Sequence, residues 1–366
     1  MGLFDFLSKK TAEQYINDGN NFSKLGKFKE ALIAYENAIA INPDDANAWF
    51  YHGYTFFWRG QYRQSLDSFE KAISVNPNLA LAWSIRGSAL DHIGKYSEAV
   101  ESYDKGIAIN SNDGVAWNNR GYALIHLGRY SEAVDSYDKG LAINPNDLDA
   151  WVNRGYALSE LGQYAESLVS YDKAIAINPN NTLALTGHGN ALNELGRYSE
   201  AIDSCDKAIK INPEETIAWD NRGIALTNLG QFLDALDSFS KALVINPDFA
   251  LAWNNHGGAL IKLGRYAEAI NSCDKAISIN PNEFMAWNNR GYALTQITRY
   301  SDALVSFEKA IAINPNEAVV WCSHGNALNK LRRYSEAILS FDKALVLNPN
   351  YVEAKQNREI ALKNTT

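Results

Sequence analysis

Apolar residues recur in this chain at two nested spacings, one helical and one of 34 residues. Between Ala116 and Asp147, Trp117, Gly121 and Leu124 fall at i, i+4 and i+7, which places them on one face of a helix. Gly128 follows as a turn signal. Ala133, Tyr137 and Gly140 then repeat the same spacing until Asn144 and Pro145 close the segment. The pattern predicts two helices joined by a tight turn, with small residues allowing close approach and an aromatic filling the space beside them. Neither helix can bury its stripe alone, so the pair must stack on copies of itself.

The copies are present. All nine prolines keep the interval of 34, and Ser111 fills the single gap in their row. Eight of the nine tryptophans keep it too, with Tyr15 and Leu185 completing that row and Trp58 out of register. Counting from Ala12 gives ten units over 12–351, opening at 12, 46, 80, 114, 148, 182, 216, 250, 284 and 318. Residues 1–11 remain as an apolar N-terminal segment or cap, and 352–366 as a capping helix and tail. The recurring Trp, Gly, Ala, aromatic and Pro positions resemble the tetratricopeptide repeat. That resemblance implies an all-α, right-handed superhelical solenoid of ten helix-turn-helix repeats with a concave groove. Thr298 and Arg332 replace the turn glycine in the last two units, which puts the shape of those turns in question. Lys355 and Glu359 stand where Trp and Gly belong in the tail, which reads as a polar cap.

The position two after the tryptophan points roughly 200° away from it, and the resemblance places that side of the first helix in the groove. Asparagine holds it in six units: Asn17, Asn119, Asn153, Asn221, Asn255 and Asn289. Each amide offers an acceptor and donors to a peptide backbone, whatever its side chains. The row resembles the asparagine ladder in the repeat domain of O-linked N-acetylglucosamine transferase, which makes these six the leading peptide-binding candidates. No counterpart of that enzyme's catalytic domain is read here. The competing reading is a tolerated exposed residue multiplied by duplication. Side-chain pockets would add selectivity. Phe50, Tyr51, Tyr54, Phe57 and Trp58 gather on the groove side of the second unit, and Tyr122, Tyr156 and Tyr292 line it singly elsewhere. Leu3, Phe4, Phe6 and Leu7 read first as a cap on the first units, with partner docking and membrane-surface contact as alternatives.

Charge and composition narrow the setting. With 34 Lys and Arg against 42 Asp and Glu, the net charge of -8 argues against nucleic acid. No apolar run is long enough to cross a bilayer, and the start lacks a signal sequence, so a cytoplasmic protein is expected. His52, His188, His256 and His324 share a position in units that are never adjacent, so no metal site or cofactor is expected. Cys205 and Cys273 read as buried thiols, and Arg86, Arg120, Arg154, Arg222 and Arg290 as ties between helices. Asp91, Asp149, Glu160, Glu194 and Asp220 lean the groove acidic, favouring a basic or neutral peptide. Lys24, Lys262 and Lys330 look isolated, so the family's clamp for a chaperone's C-terminal carboxylate is not expected. Gly106, Gly140, Ser111 and Gly114 suggest a hinge near 106–114. No phosphate loop, zinc spacing or nucleophile, base and acid set points to an enzyme. The expected function is a non-catalytic scaffold or adaptor that binds a protein or peptide. A self-assembling, homo-oligomeric organiser and a regulatory module of a larger enzyme complex are the alternatives.

Overall fold

The computed structural model describes residues 10–365. Among them are twenty-one helices and no strand, running from Ala12–Lys24 to Val352–Lys363 as ten helix-turn-helix pairs and a final helix. The pair Gly114–His126 and Tyr130–Ile143 shows why each pair forms. Gly121 sits against Tyr137 so closely that an added Cβ would lie 2.7 Å from the ring, and Ala133 is fully buried beside it. At the turn, Gly128 takes φ +69° while Arg129 N donates to Leu124 O. Thr298 and Arg332 adopt the same left-handed conformation at φ 64° and 60°. The last two turns therefore keep the common shape, at a cost of about 1–2 kcal/mol each for a side chain in that region.

The coupled rows of Trp and Pro have one cause. Trp151 Nε1 donates to the carbonyl of Pro145 at 2.8 Å, pinning the start of one pair to the end of the previous one. Trp117 makes the same bond to the carbonyl of Ser111 at 3.0 Å, so the gap in the proline row loses the ring and keeps the tie. The glycines near residue 110 also have a packing reason. An added Cβ at Gly106 would stand 2.9 Å from Ser84 Oγ, and one at Gly140 would collide with Asn118 Oδ1. Both polar side chains reach on to the carboxylates of Asp113 and Asp147, which cap the next helices. The glycines read as a hinge signal are the room these bonds need, and the helix Tyr96–Ile109 is continuous through Gly106.

The chain divides between Pro179 and Asn180 into two compact units. The N-terminal unit holds five pairs, with a core of Leu90, Tyr103, Leu124 and Tyr137 and a second cluster of Phe50, Phe69 and Ile73. The C-terminal unit holds five pairs and Val352–Lys363, with a core along Phe239, Leu260, Phe307, Leu328 and Phe341. The last helix buries Ala354 and Ala361 against this core. Among the described residues no helix is long and apolar enough to cross a membrane. Leu3, Phe4, Phe6 and Leu7 lie outside the described residues.

Candidate functional site

Four of the ladder asparagines make hydrogen bonds to an earlier first helix. In the C-terminal unit each directs its Nδ2 to a first helix 35 residues earlier: Asn221 to Thr186 O at 3.4 Å, Asn255 to the Asp220 carboxylate at 3.2 Å, and Asn289 to Asn254 Oδ1 at 2.9 Å. In the N-terminal unit Asn119 bonds Ser88 Oγ at 3.4 Å, while Asn17 is exposed and Asn153 half-buried. Four of the six amides thus staple consecutive first helices; Asn221 is itself buried at 4% exposure, while Asn119, Asn255 and Asn289 are half-buried and keep their oxygens. Sequence reasoning missed this role. Its signal was the polar residue directly after the tryptophan, at Asp220 and Asn254.

Asp220 is consequently a buried residue, 6% exposed, and contributes no open groove charge. Burial pushes its carboxyl up to about 6, with the Asn255 hydrogen bond opposing the rise. Asp91 is pushed up to about 7 by burial while Tyr103 OH donates to its Oδ2 at 2.6 Å.

The aromatic residues of the second pair form a graded cluster. Phe50 belongs to the core and packs on Phe69 at 5.9 Å and Tyr54 at 5.8 Å. Tyr51 stacks on Tyr35 at 6.0 Å, and Phe57 meets Tyr62 and His92, each at 5.6 Å. Trp58 ends the series against Tyr54 and is 61% exposed. Tyr122, Tyr156 and Tyr292 are all exposed.

In the C-terminal unit Asn289 and Tyr292 open together onto a cavity of about 780 Å³. The same cavity is lined by Gly258, Lys262, Asn288, Asn329 and Lys330. The two lysines, isolated in sequence, thus share one site because stacked pairs bring the ends of their first helices to one surface. Asn288 Oδ1 and Asn329 Oδ1 are buried without a hydrogen-bond partner, as are Asn118 Oδ1 and Asn193 Oδ1 at the same repeat positions elsewhere.

The remaining polar positions are structural. Arg120 stacks over Trp117 at 5.9 Å, pairs with Asp104 at 2.6 Å and donates to Ser136 Oγ at 2.6 Å. His52, His256 and His324 meet the equivalent serines at about 3 Å, and burial lowers the pKa of each. Burial pushes the thiols of Cys205, Cys273 and Cys322 up to about 12.

Models described as the tetratricopeptide repeat match residues 114–147, 148–181, 184–215, 250–283 and 284–317. Related repeat models match 19–57, 52–114, 216–249 and 318–351. The chain belongs to the tetratricopeptide repeat family. No curated protein matches it. Among solved structures, a tetratricopeptide repeat protein from Parabacteroides merdae is 21% identical with a TM-score of 0.53, covering 68% of this chain and 98% of its own. The structure of the APC/C hetero-tetramer Cut9-Hcn1 is 13% identical with a TM-score of 0.56, covering 96% of each chain. Both share the repeat fold. YrrB, described as a tetratricopeptide repeat protein with an unusual peptide-binding site, is 27% identical with a TM-score of 0.45, covering 50% of this chain and 95% of its own.

Proposed function

We propose that this member of the tetratricopeptide repeat family is a non-catalytic scaffold that holds an extended peptide or a partner's segment against the first helices of its pairs. The contacts assigned are the free oxygens of Asn17, Asn119, Asn153, Asn255 and Asn289, with Tyr51, Tyr54, Phe57, Trp58, Tyr122, Tyr156 and Tyr292 beside them; Asn221, expected among them, is buried and makes none. Phe50 supports this surface from the core. The observation that carries the reading is the cavity of about 780 Å³ onto which half-buried Asn289 and exposed Tyr292 open together. Each net hydrogen bond contributes roughly 0.5–1.5 kcal/mol, whereas association costs about 4–15 kcal/mol. Tyrosine contacts must therefore supplement the amides. The setting proposed is the cytoplasm, where buried thiols stay reduced.

Panning a random dodecapeptide library on the folded protein tests this. Peptides enriched on the wild type are expected to bind Tyr292→Ala at least about tenfold more weakly, a difference of 1.4 kcal/mol. An empty selection, or peptides indifferent to Tyr292→Ala and to Asn289→Ala, would remove the groove from the account. A second reading, self-assembly, is favoured by apolar side chains exposed on second helices, including Leu233, Val244, Leu339 and Val346. It requires that mass rise with concentration in sedimentation velocity and that Leu339→Asp with Val346→Asp abolish the rise.

A further inference from the structure

Gly257 and Gly258 are neighbours in the helix Ala250–Lys262, with opposite surroundings. A Cβ on Gly257 would stand 3.0 Å from Cys273 Sγ, so that glycine is explained by packing. A Cβ on Gly258 would meet nothing within 4 Å. A mid-helix glycine costs about 0.5–1 kcal/mol relative to alanine, and nothing in the packing of the described residues accounts for that cost at Gly258. The equivalent position carries Tyr54, Tyr122, Tyr156 and Tyr292 in four other first helices. Only here is it bare, and here it lines the cavity beside Ile261 and Tyr292.

The polar groups of the cavity are one-sided. Lys262 and Lys330 form no ion pair within the described residues, while Glu353, the one carboxylate among the lining residues, accepts from Asn326 Nδ2 at 3.0 Å. The cavity thus offers open space over Gly258 and two exposed lysines without an ion pair, against the single carboxylate of Glu353. Its volume of about 780 Å³ falls in the range of about 300–1,000 Å³ typical of ligand sites.

We infer that this cavity receives an extended acidic peptide segment, one apolar side chain of which occupies the space over Gly258. Its side-chain carboxylates lie beside Lys262 and Lys330, and its backbone meets the half-buried amide of Asn289. The inference rests on the groove reading above and narrows it. It reverses, for this end of the chain, the preference for a basic or neutral peptide that the carboxylates suggested. The lysines are exposed, so their contribution falls as salt screens it over about 10 Å at 0.1 M.

The test uses three fluorescent dodecapeptide pools with amidated C-termini, so that a free terminal carboxylate plays no part. All share a centre mixed over Leu, Ile, Val, Phe and Met, and they carry Glu, Gln or Lys on the flanks. Fluorescence anisotropy is expected to rank Glu above Gln above Lys on the wild type. The Glu pool is expected to weaken at least about tenfold on Gly258→Leu, which fills the open space. It should weaken comparably on Lys262→Glu with Lys330→Glu, which should also favour the Lys pool. Gly258→Leu meets open space and should melt no lower than the wild type. Equal binding of the Glu pool to all three proteins overturns the inference. A wild-type preference for the Lys pool that still depends on Tyr292 overturns it while leaving the groove reading intact. Absence of binding by every pool together with an empty library selection overturns both.

Discussion

At the scale of single residues, the same residue type serves unlike ends, and only the structure separates them. Gly291 faces Phe307, whose ring would lie 2.6 Å from an added Cβ, whereas Gly258 faces open space. Gly291→Ala is therefore expected to destabilise by about 1–3 kcal/mol through overpacking, and Gly258→Ala to stabilise by about 0.5–1 kcal/mol. Chemical denaturation of the two variants checks the pair. Asp220 carries a pH dependence. Burial raises its carboxyl to about 6 in the folded chain, so the folded state holds that proton more tightly than the unfolded state. The contribution to stability is full below the unfolded value near 3.9 and is lost as pH rises through about 6. Asp220→Asn keeps an acceptor for Asn255 and removes that loss. Its melting temperature is expected to rise by about 2–4 °C at pH 7.5 and to match the wild type at pH 4. A wild-type match at pH 7.5 would contradict this. The glycine and aromatic rows were legible because packing repeats with the period. The buried state of Asp220 was not, since its partner Asn255 lies 35 residues away across a helix stack that no local pattern reports.

At the scale of elements, the helix pair was readable from one unit: two apolar stripes, a glycine turn and an Asn-Pro stop. What the pattern left open was how much each signal residue matters. Ser111 keeps the carbonyl that Trp117 needs, so the missing proline costs no hydrogen bond. Thr298 holds the left-handed turn at φ 64° against its own side-chain sterics. Thr298→Gly is expected to stabilise by about 1–2 kcal/mol, and loss of stability would show that the threonine side chain contributes contacts that outweigh the strain. Gly106 and Gly140 looked like weak points because propensity counts only the glycine, whereas the reason lies in Ser84 and Asn118 on the facing helix. Amide exchange near residues 106–114 is accordingly expected to be no faster than at the other junctions between pairs.

At the scale of the whole molecule, the pairs within each compact unit lean on their neighbours, and function falls to side chains that packing leaves over. The period named the fold. It could not say which groove positions remain available, because ladder amides, arginines and histidines are partly consumed in tying repeats together. The surface left with unmatched chemistry is the Gly258, Lys262, Tyr292 and Lys330 cavity in the C-terminal unit and the Trp58 edge of the aromatic cluster in the N-terminal one. The most direct measurement of the scaffold account is amide hydrogen exchange, read by mass spectrometry, on the full chain with and without a library-selected dodecapeptide. The account expects slowed exchange in the first helices Phe284–Gln296 and Ala318–Lys330, with the second helices Tyr300–Ile313 and Tyr334–Leu347 unchanged. Slowing confined to the second helices, or none in either set, would contradict it.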